Sequence, residues 1–475
     1  MFNDDFWSGE EEGDDSIAAL LDIYEQLKKG GSSRFLEEEE YELIVEYFYQ
    51  NNREAEALTA IELAQQYYPY SSSILLLKAE ILFQGQKHGQ AMKALDQLDN
   101  LEHNLLEAIL LRSDIYLAQY KFGQAAKFLE EKIEQFEGRQ QVELMLELSD
   151  VYDECENYEG VFKILKRILD IDPHNEEALH KISFWADFAD MHENSISLHK
   201  KLIEEDPFNA LAWFNLGAAY QGRKDYEKAI DAYEYCVAID EKFEFAYRNM
   251  ADAYMRLNWY EKAIESLEKN LELGKPEDVI FEAMGHCFEK QKKFSKARQY
   301  YRQAIALNPA DDVIFYRIGE TYSREKAWEK AAKSYTTALK INKENSAYFL
   351  ALGNCLMELD SPTEALVCYL NALRLKPQNK SNWMALLKAL YIAGYFEEAL
   401  NQVVNAKEAI GDKPDFDFYK SGILFALGKS KEAVLYLEKA LAEAPQKLKI
   451  LMALQPELLQ RKAVADLVAK YKRKK

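Results

Sequence analysis

Seven alanines, Ala229, Ala263, Ala297, Ala331, Ala365, Ala399 and Ala433, recur at a constant step of 34 residues. A strict period of this length means that the chain is built from copies of one unit. The stretch Trp213–Asp240, WFNLGAAYQGRKDYEKAIDAYEYCVAID, shows what the unit contains. Two apolar stripes at helical spacing flank a short polar turn, Gly222-Arg223-Lys224-Asp225. The first stripe carries a small residue beside a large one: Leu216-Gly217, Met250-Ala251, Met284-Gly285, Ile318-Gly319, Leu352-Gly353. A small residue on each helix lets two axes approach closely, so the expectation is that the glycine of the first helix faces the alanine of the second. Proline closes several units (Pro69, Pro173, Pro207, Pro309, Pro377, Pro445), because a helix rarely continues through it. Ser361-Pro362-Thr363-Glu364 reads as a capping box with proline at the first helical position.

With this period and these positions the chain resembles the tetratricopeptide repeat (TPR) family. The resemblance implies an all-α fold, a right-handed alpha-alpha superhelix, or solenoid, of about twelve helix pairs. Repeat starts are expected near Glu38, Ser72, Leu106, Val142, Glu176, Ala210, Glu244, Asp278, Asp312, Ser346, Lys380 and Pro414. The third unit has two extra residues, assigned to a loop. The expected layout is an acidic disordered tail over 1–15 and a capping helix and linker over 16–37, with Ser16–Lys29 helical. The array covers 38–447, and capping helices (Leu448–Leu454 and Pro456–Lys470) with a basic tail cover 448–475. Departures from the pattern gather toward the ends: Val161 and Ser195 replace the packing alanine, Leu387 replaces the small residue, and Lys78 and Arg112 fall on apolar positions.

Composition removes several function classes. A formal net charge of −22 over 475 residues opposes a phosphate backbone, so nucleic-acid binding is not expected. The acidic start MFNDDFWSGEEEGDD lacks the basic and apolar regions of a secretory signal, and no apolar run is long enough for membrane insertion. Five cysteines without a CxxC pair suit a reducing compartment and buried thiols, and the expected location is cytoplasmic. The seven histidines form no zinc pattern, and there is no phosphate-binding or dinucleotide motif. No catalytic residue, metal or cofactor is assigned, and the chain is read as no enzyme; an enzyme of unrecognised type is the remotest alternative.

What remains is surface. The resemblance implies a concave groove lined by the first helix of each unit, at its second, fifth, sixth, ninth, twelfth and thirteenth positions. Candidate peptide-binding residues are Lys181, Phe214, Asn215, Phe245, Arg248, Asn249, Arg256, Arg317 and Arg324. Asn215 and Asn249 share the sixth position, where a carboxamide offers a donor and an acceptor to a peptide backbone. The carboxylate clamp of chaperone-tail receptors in the family is absent, since His180, Phe184, Phe245 and Asn249 stand at its positions around Asn215. The expected role is an adaptor or scaffold for one or more partner proteins. The alternative is a regulatory or assembly subunit that uses the convex face or the ends. The acidic, aromatic start is read as a solubilising extension, with folding back onto the arginines of the groove as the alternative.

Overall fold

Every repeat bends at one residue. In the computed structural model, which describes residues 12–31 and 34–472, Asn52, Gln86, Tyr120, Glu156, Asp190, Lys224, Asn258, Lys292, Lys326 and Asp360 have φ between 53° and 65°, and Gly394 and Gly428 complete the series. The step is 34 throughout except for 36 between Tyr120 and Glu156. Around Lys224 the amides of Lys224 and Asp225 donate to the carbonyls of Gln221 and Tyr220, at 2.8 and 2.9 Å. This is a Schellman closure, which satisfies the last carbonyls of one helix while turning the chain into the next. Ten of the twelve residues are not glycine, although the left-handed conformation disfavours a side chain.

The turns separate helices that alternate along two compact units, residues 1–243 and 244–475. The first unit holds α1 (Glu12–Lys28) and six pairs: α2 (Glu38–Gln50) with α3 (Glu54–Tyr67), α4 (Ser72–Gln84) with α5 (His88–Asp99), and α6 (Leu106–Ala118) with α7 (Phe122–Ile133). Then come α8 (Gly138–Glu154) with α9 (Tyr158–Ile171), α10 (Glu176–Phe188) with α11 (His192–Glu205), and α12 (Ala210–Gly222) with α13 (Tyr226–Ile239). The second unit also has six pairs: α14 (Glu244–Arg256) with α15 (Tyr260–Leu273), α16 (Asp278–Lys290) with α17 (Phe294–Leu307), and α18 (Asp312–Arg324) with α19 (Trp328–Ile341). They continue with α20 (Ser346–Glu358) and α21 (Pro362–Leu375), α22 (Lys380–Ile392) and α23 (Phe396–Ile410), and α24 (Pro414–Ala426) and α25 (Ser430–Glu443). Two short helices, α26 (Lys449–Leu454) and α27 (Lys462–Lys472), follow. The fold among the described residues is all-α, with helices packed in consecutive pairs.

The close approach within a pair differs from the expectation. The second-helix alanines are fully buried, but the glycine opposite meets a tyrosine ring. A Cβ on Gly217, Gly285 or Gly319 would stand 2.5 Å from Tyr233, Tyr301 or Tyr335, and one on Gly353 would stand 2.6 Å from Tyr369. The absent side chain is the socket for that ring. Arg112 and Lys78 are accommodated by partners: Arg112 is buried with its guanidinium on Asp96 (2.9 Å) and Asp99 (2.7 Å), and Lys78 donates to Gln65 at 2.8 Å.

Other boundaries shift. The two extra residues of the third unit lie ahead of Val142, where α8 begins at Gly138 and gains a turn. Helix α1 starts at Glu12, four residues before the expected Ser16, and buries Leu20, Tyr24 and Leu27 against Tyr41 and Ile44 of α2. Of the acidic tail expected over 1–15, residues 1–11 lie outside the described residues and 12–15 form the start of α1. Pro362 does open α21, but the Ser361 side chain makes no cap bond. The expected helix Pro456–Lys470 is instead a 3-10 turn, Pro456–Gln460, followed by α27. Leu451 and Leu454 of α26 pack over Gly422. Of the cysteines, Cys236, Cys287, Cys355 and Cys368 are buried, whereas Cys155 is exposed, because it caps α8 at its turn.

Candidate functional site

The first helices of the pairs carry the candidate surface. In the first unit α2, α4, α6 and α8 lie side by side in that order. Lys181 on α10 is partly buried and reaches Asp150 of α8 (2.8 Å) and Glu177 (2.7 Å), so its charge is already matched. Phe214 is also partly buried, with its ring 5.7 Å from Tyr233 and 5.0 Å from Phe243. Asn215 departs from its expected role: it is 1% exposed, and its Nδ2 donates to the Leu179 carbonyl at 2.7 Å. That carboxamide is a tie between α10 and α12, and a peptide cannot reach it.

The other six candidates lie in the second unit. Phe245 is 57% exposed on α14, Asn249 is partly buried, and Arg324 is exposed on α18. Arg248 pairs with Glu277 (3.2 Å), Arg256 with Asp252 (3.5 Å) and Arg317 with Glu282 of α16 (3.2 Å). The last contact joins the faces of α16 and α18. Burial, with the neighbouring Arg317 and Lys290, holds the His286 imidazole below its usual pKa. Carboxylates on the same helices receive the hydroxyls of the socketed tyrosines, Tyr301 on Glu289 at 2.7 Å and Tyr335 on Glu320 at 2.5 Å.

One feature of the first unit was not singled out in the sequence. The ninth position of the first helix, already counted as groove-lining, is an acid in four successive repeats: Glu46, Glu80, Asp114 and Asp150. Three of them line one cavity of about 670 Å³ over α2, α4 and α6, with two further acids, Glu107 and Glu143, and with Leu77, Ile81 and Leu110 among its apolar residues. Burial raises the carboxyl pKa of Glu46 and Glu80. Burial also raises that of Glu147, although the Ser113 hydroxyl donates to it at 2.7 Å. At the next ninth position stands Phe184. It is 56% exposed, packs on Trp185 and Phe188 at 4.9 Å each, and with Phe188 (59% exposed) forms an aromatic surface.

No group of metal-ligating side chains occurs among the described residues, and none of their helices is long and apolar enough to cross a membrane. Family models described as tetratricopeptide repeat match residues 210–243, 246–273, 282–311 and 316–380. Among solved structures, YrrB, titled a TPR protein with an unusual peptide-binding site, is 20% identical, with 39% of this chain and 96% of that one covered and a TM-score of 0.35. The C-terminal part of a TPR repeat-containing protein from Cytophaga hutchinsonii is 17% identical, covering 54% and 99%, with a TM-score of 0.44. The Cut9-Hcn1 hetero-tetramer of the APC/C gives 14%, 83% and 89%, with a TM-score of 0.36. At such identities and TM-scores these likenesses say nothing of function. Comparison with curated proteins gives no match.

Proposed function

Because the chain is a tetratricopeptide repeat protein, we propose that it acts as a non-enzymatic, cytoplasmic adaptor that binds protein segments on the faces of its first helices. Proteins built from this repeat generally mediate protein–protein binding and are typically not catalysts. The observation that carries the reading is the exposure of large aromatics on those faces: Phe184, Phe188 and Phe245 are each more than half exposed. Aromatic side chains concentrate binding energy where they are presented on a rigid element.

The test is paired affinity capture from the source organism's lysate, read by mass spectrometry. One bait is the wild-type chain and the other carries Phe245→Ala, Arg248→Ala and Arg324→Ala, with circular dichroism confirming equal helicity. Asn215 is left unchanged, since its loss would disturb packing. A partner held by the first bait and lost by the second supports binding at the second unit's first-helix face. Equal capture would direct attention to the second helices, where Val367, Leu370 and Leu435 are exposed. That result would favour the role of an assembly subunit.

A further inference from the structure

We propose that the groove over α2, α4 and α6 binds an extended partner segment with lysine or arginine at about every third residue, and that a bulky apolar residue at one end of the segment rests on Phe184 and Phe188. The inference deepens the protein-binding reading by naming the chemistry of the partner.

Three observations support it. First, the cavity joins acids and apolar side chains: Leu77, Ile81 and Leu110 line it together with Glu46, Glu80 and Asp114. Second, Glu46, Glu80 and Asp114 make no ion pair with a lysine, arginine or histidine among the described residues, whereas the fourth acid, Asp150, is matched by Lys181. Third, the series ends on an uncovered aromatic surface at the same helical position.

The spacing follows from helix packing. Adjacent helix axes stand about 8–10 Å apart, and extended chain rises about 3.3 Å per residue, so every third residue advances by about one helix. A segment with basic residues at that interval places one cation at each acid. A peptide backbone laid this way also covers the apolar side chains. The basic stretch Lys470–Lys475 packs five cations into six residues. Bunched charge of that kind does not match acids one helix apart, which favours a partner protein over a second copy.

The experiment uses the full chain and fluorescein-labelled peptides of about 13 residues, long enough at ~3.3 Å each to cross the four helix spacings from α2 to α10. One has lysine at every third position and leucine at both ends. A second has the same composition with its lysines adjacent, and a third carries glutamate for lysine. Anisotropy titrations should show the spaced peptide binding about fivefold more tightly than the bunched one, and no binding of the glutamate peptide. The triple variant Glu46→Gln, Glu80→Gln, Asp114→Asn should lose about tenfold in affinity, or about 1.4 kcal/mol shared among three weak charge contacts. Phe184→Ser with Phe188→Ser should lose about threefold. A control of equal charge change, Glu62→Gln, Glu102→Gln and Glu137→Gln, should lose less than about twofold.

Equal losses in the two triple variants, or equal binding of spaced and bunched peptides, would reduce the effect to net charge and overturn the inference. Concentration-dependent self-association abolished by the groove triple would make the second copy's tail the occupant, and would overturn it too. If no lysine peptide binds while a partner is still captured through the first-helix faces, the basic-segment inference falls and the protein-binding reading stands.

Discussion

The two units are written in the same repeat yet carry opposite charge. Residues 1–243 contain 51 acids against 22 lysines and arginines, a net of −29, whereas 244–475 contain 30 against 37, a net of +7. The acids also do different things. In the second unit, buried carboxylates are held by lysines: Asp415 lies 2.8 Å from both Lys380 and Lys447, and Asp417 lies 3.0 Å from Lys439 and close to Lys407. Burial pushes the Asp415 carboxyl up, but the two lysines hold it below its ordinary pKa. In the first unit Glu46 and Glu80 have no lysine partner among the described residues, and burial leaves them raised. The comparison teaches that one fold can consume its charges internally at one end and present them at the other.

That contrast can be broken most severely at Asp417, which is fully buried. Asp417→Ala should cost about 3 kcal/mol, because it removes the shared acceptor of two lysines. Glu80→Gln, by contrast, should leave stability within about 0.5 kcal/mol or raise it slightly. Urea unfolding of both variants by circular dichroism decides this, and similar losses would erase the distinction.

The pairs also differ in how they close. Gly217, Gly285, Gly319 and Gly353, one in the first unit and three in the second, face tyrosines, while the equivalent sites of the first two repeats combine Val45 with Ile61 and Ala79 with Leu95. Gly319→Ala should destabilise by about 2–3 kcal/mol through overpacking against Tyr335. Adding Tyr335→Leu rewrites the pair in the style of Ala79 and Leu95 and should restore at least half of the loss. A double-mutant cycle showing simple additivity would dismiss the socket account.

At the site corresponding to Tyr335, the fifth repeat of the first unit has His199. It is wholly buried, its Nδ1 lies 2.8 Å from the Ser195 carbonyl, and burial lowers its pKa from 6.5 to about 4. A base depressed in the folded state contributes stability that is complete above its unfolded pKa and is lost as pH falls from about 6.5 toward 4. Moving from pH 7 to about 5 should therefore cost the wild type about 2 kcal/mol more than His199→Gln. Parallel unfolding curves of the two proteins at both pH values measure the difference, and equal pH sensitivity would assign it elsewhere.

Much of the architecture was legible because the period is carried by backbone-scale constraints. Eleven of the twelve expected repeat starts coincide with the first residue of a helix, and only Val142 misses. The glycine–tyrosine socket was not legible, since periodicity locates a residue on a face but does not say how far a ring leans along the helix. Asn215 was misplaced for a related reason. One step around a helix is about 100°, enough to move a side chain from the open face to the seam between repeats. A polar residue at a seam looks exposed until its partner, here a backbone carbonyl that sequence does not display, is found. The four acids at the ninth position needed only the register already in hand, but each belongs to a repeat that departs from the family pattern and attracts less notice. Their worth as a binding surface is a proposal of the structure, together with the six candidates of the second unit.

The Schellman turns have a consequence for synthesis. Each closes its helix with bonds between residues at most five apart, and each pair is complete within one period of sequence. Contacts so local require little loop closure, and domains generally fold as they leave the ribosome, N-terminal part first. The acidic unit can therefore finish folding while the basic residues that follow are still unmade, and its open carboxylates never compete for those lysines in a collapsed, half-formed chain.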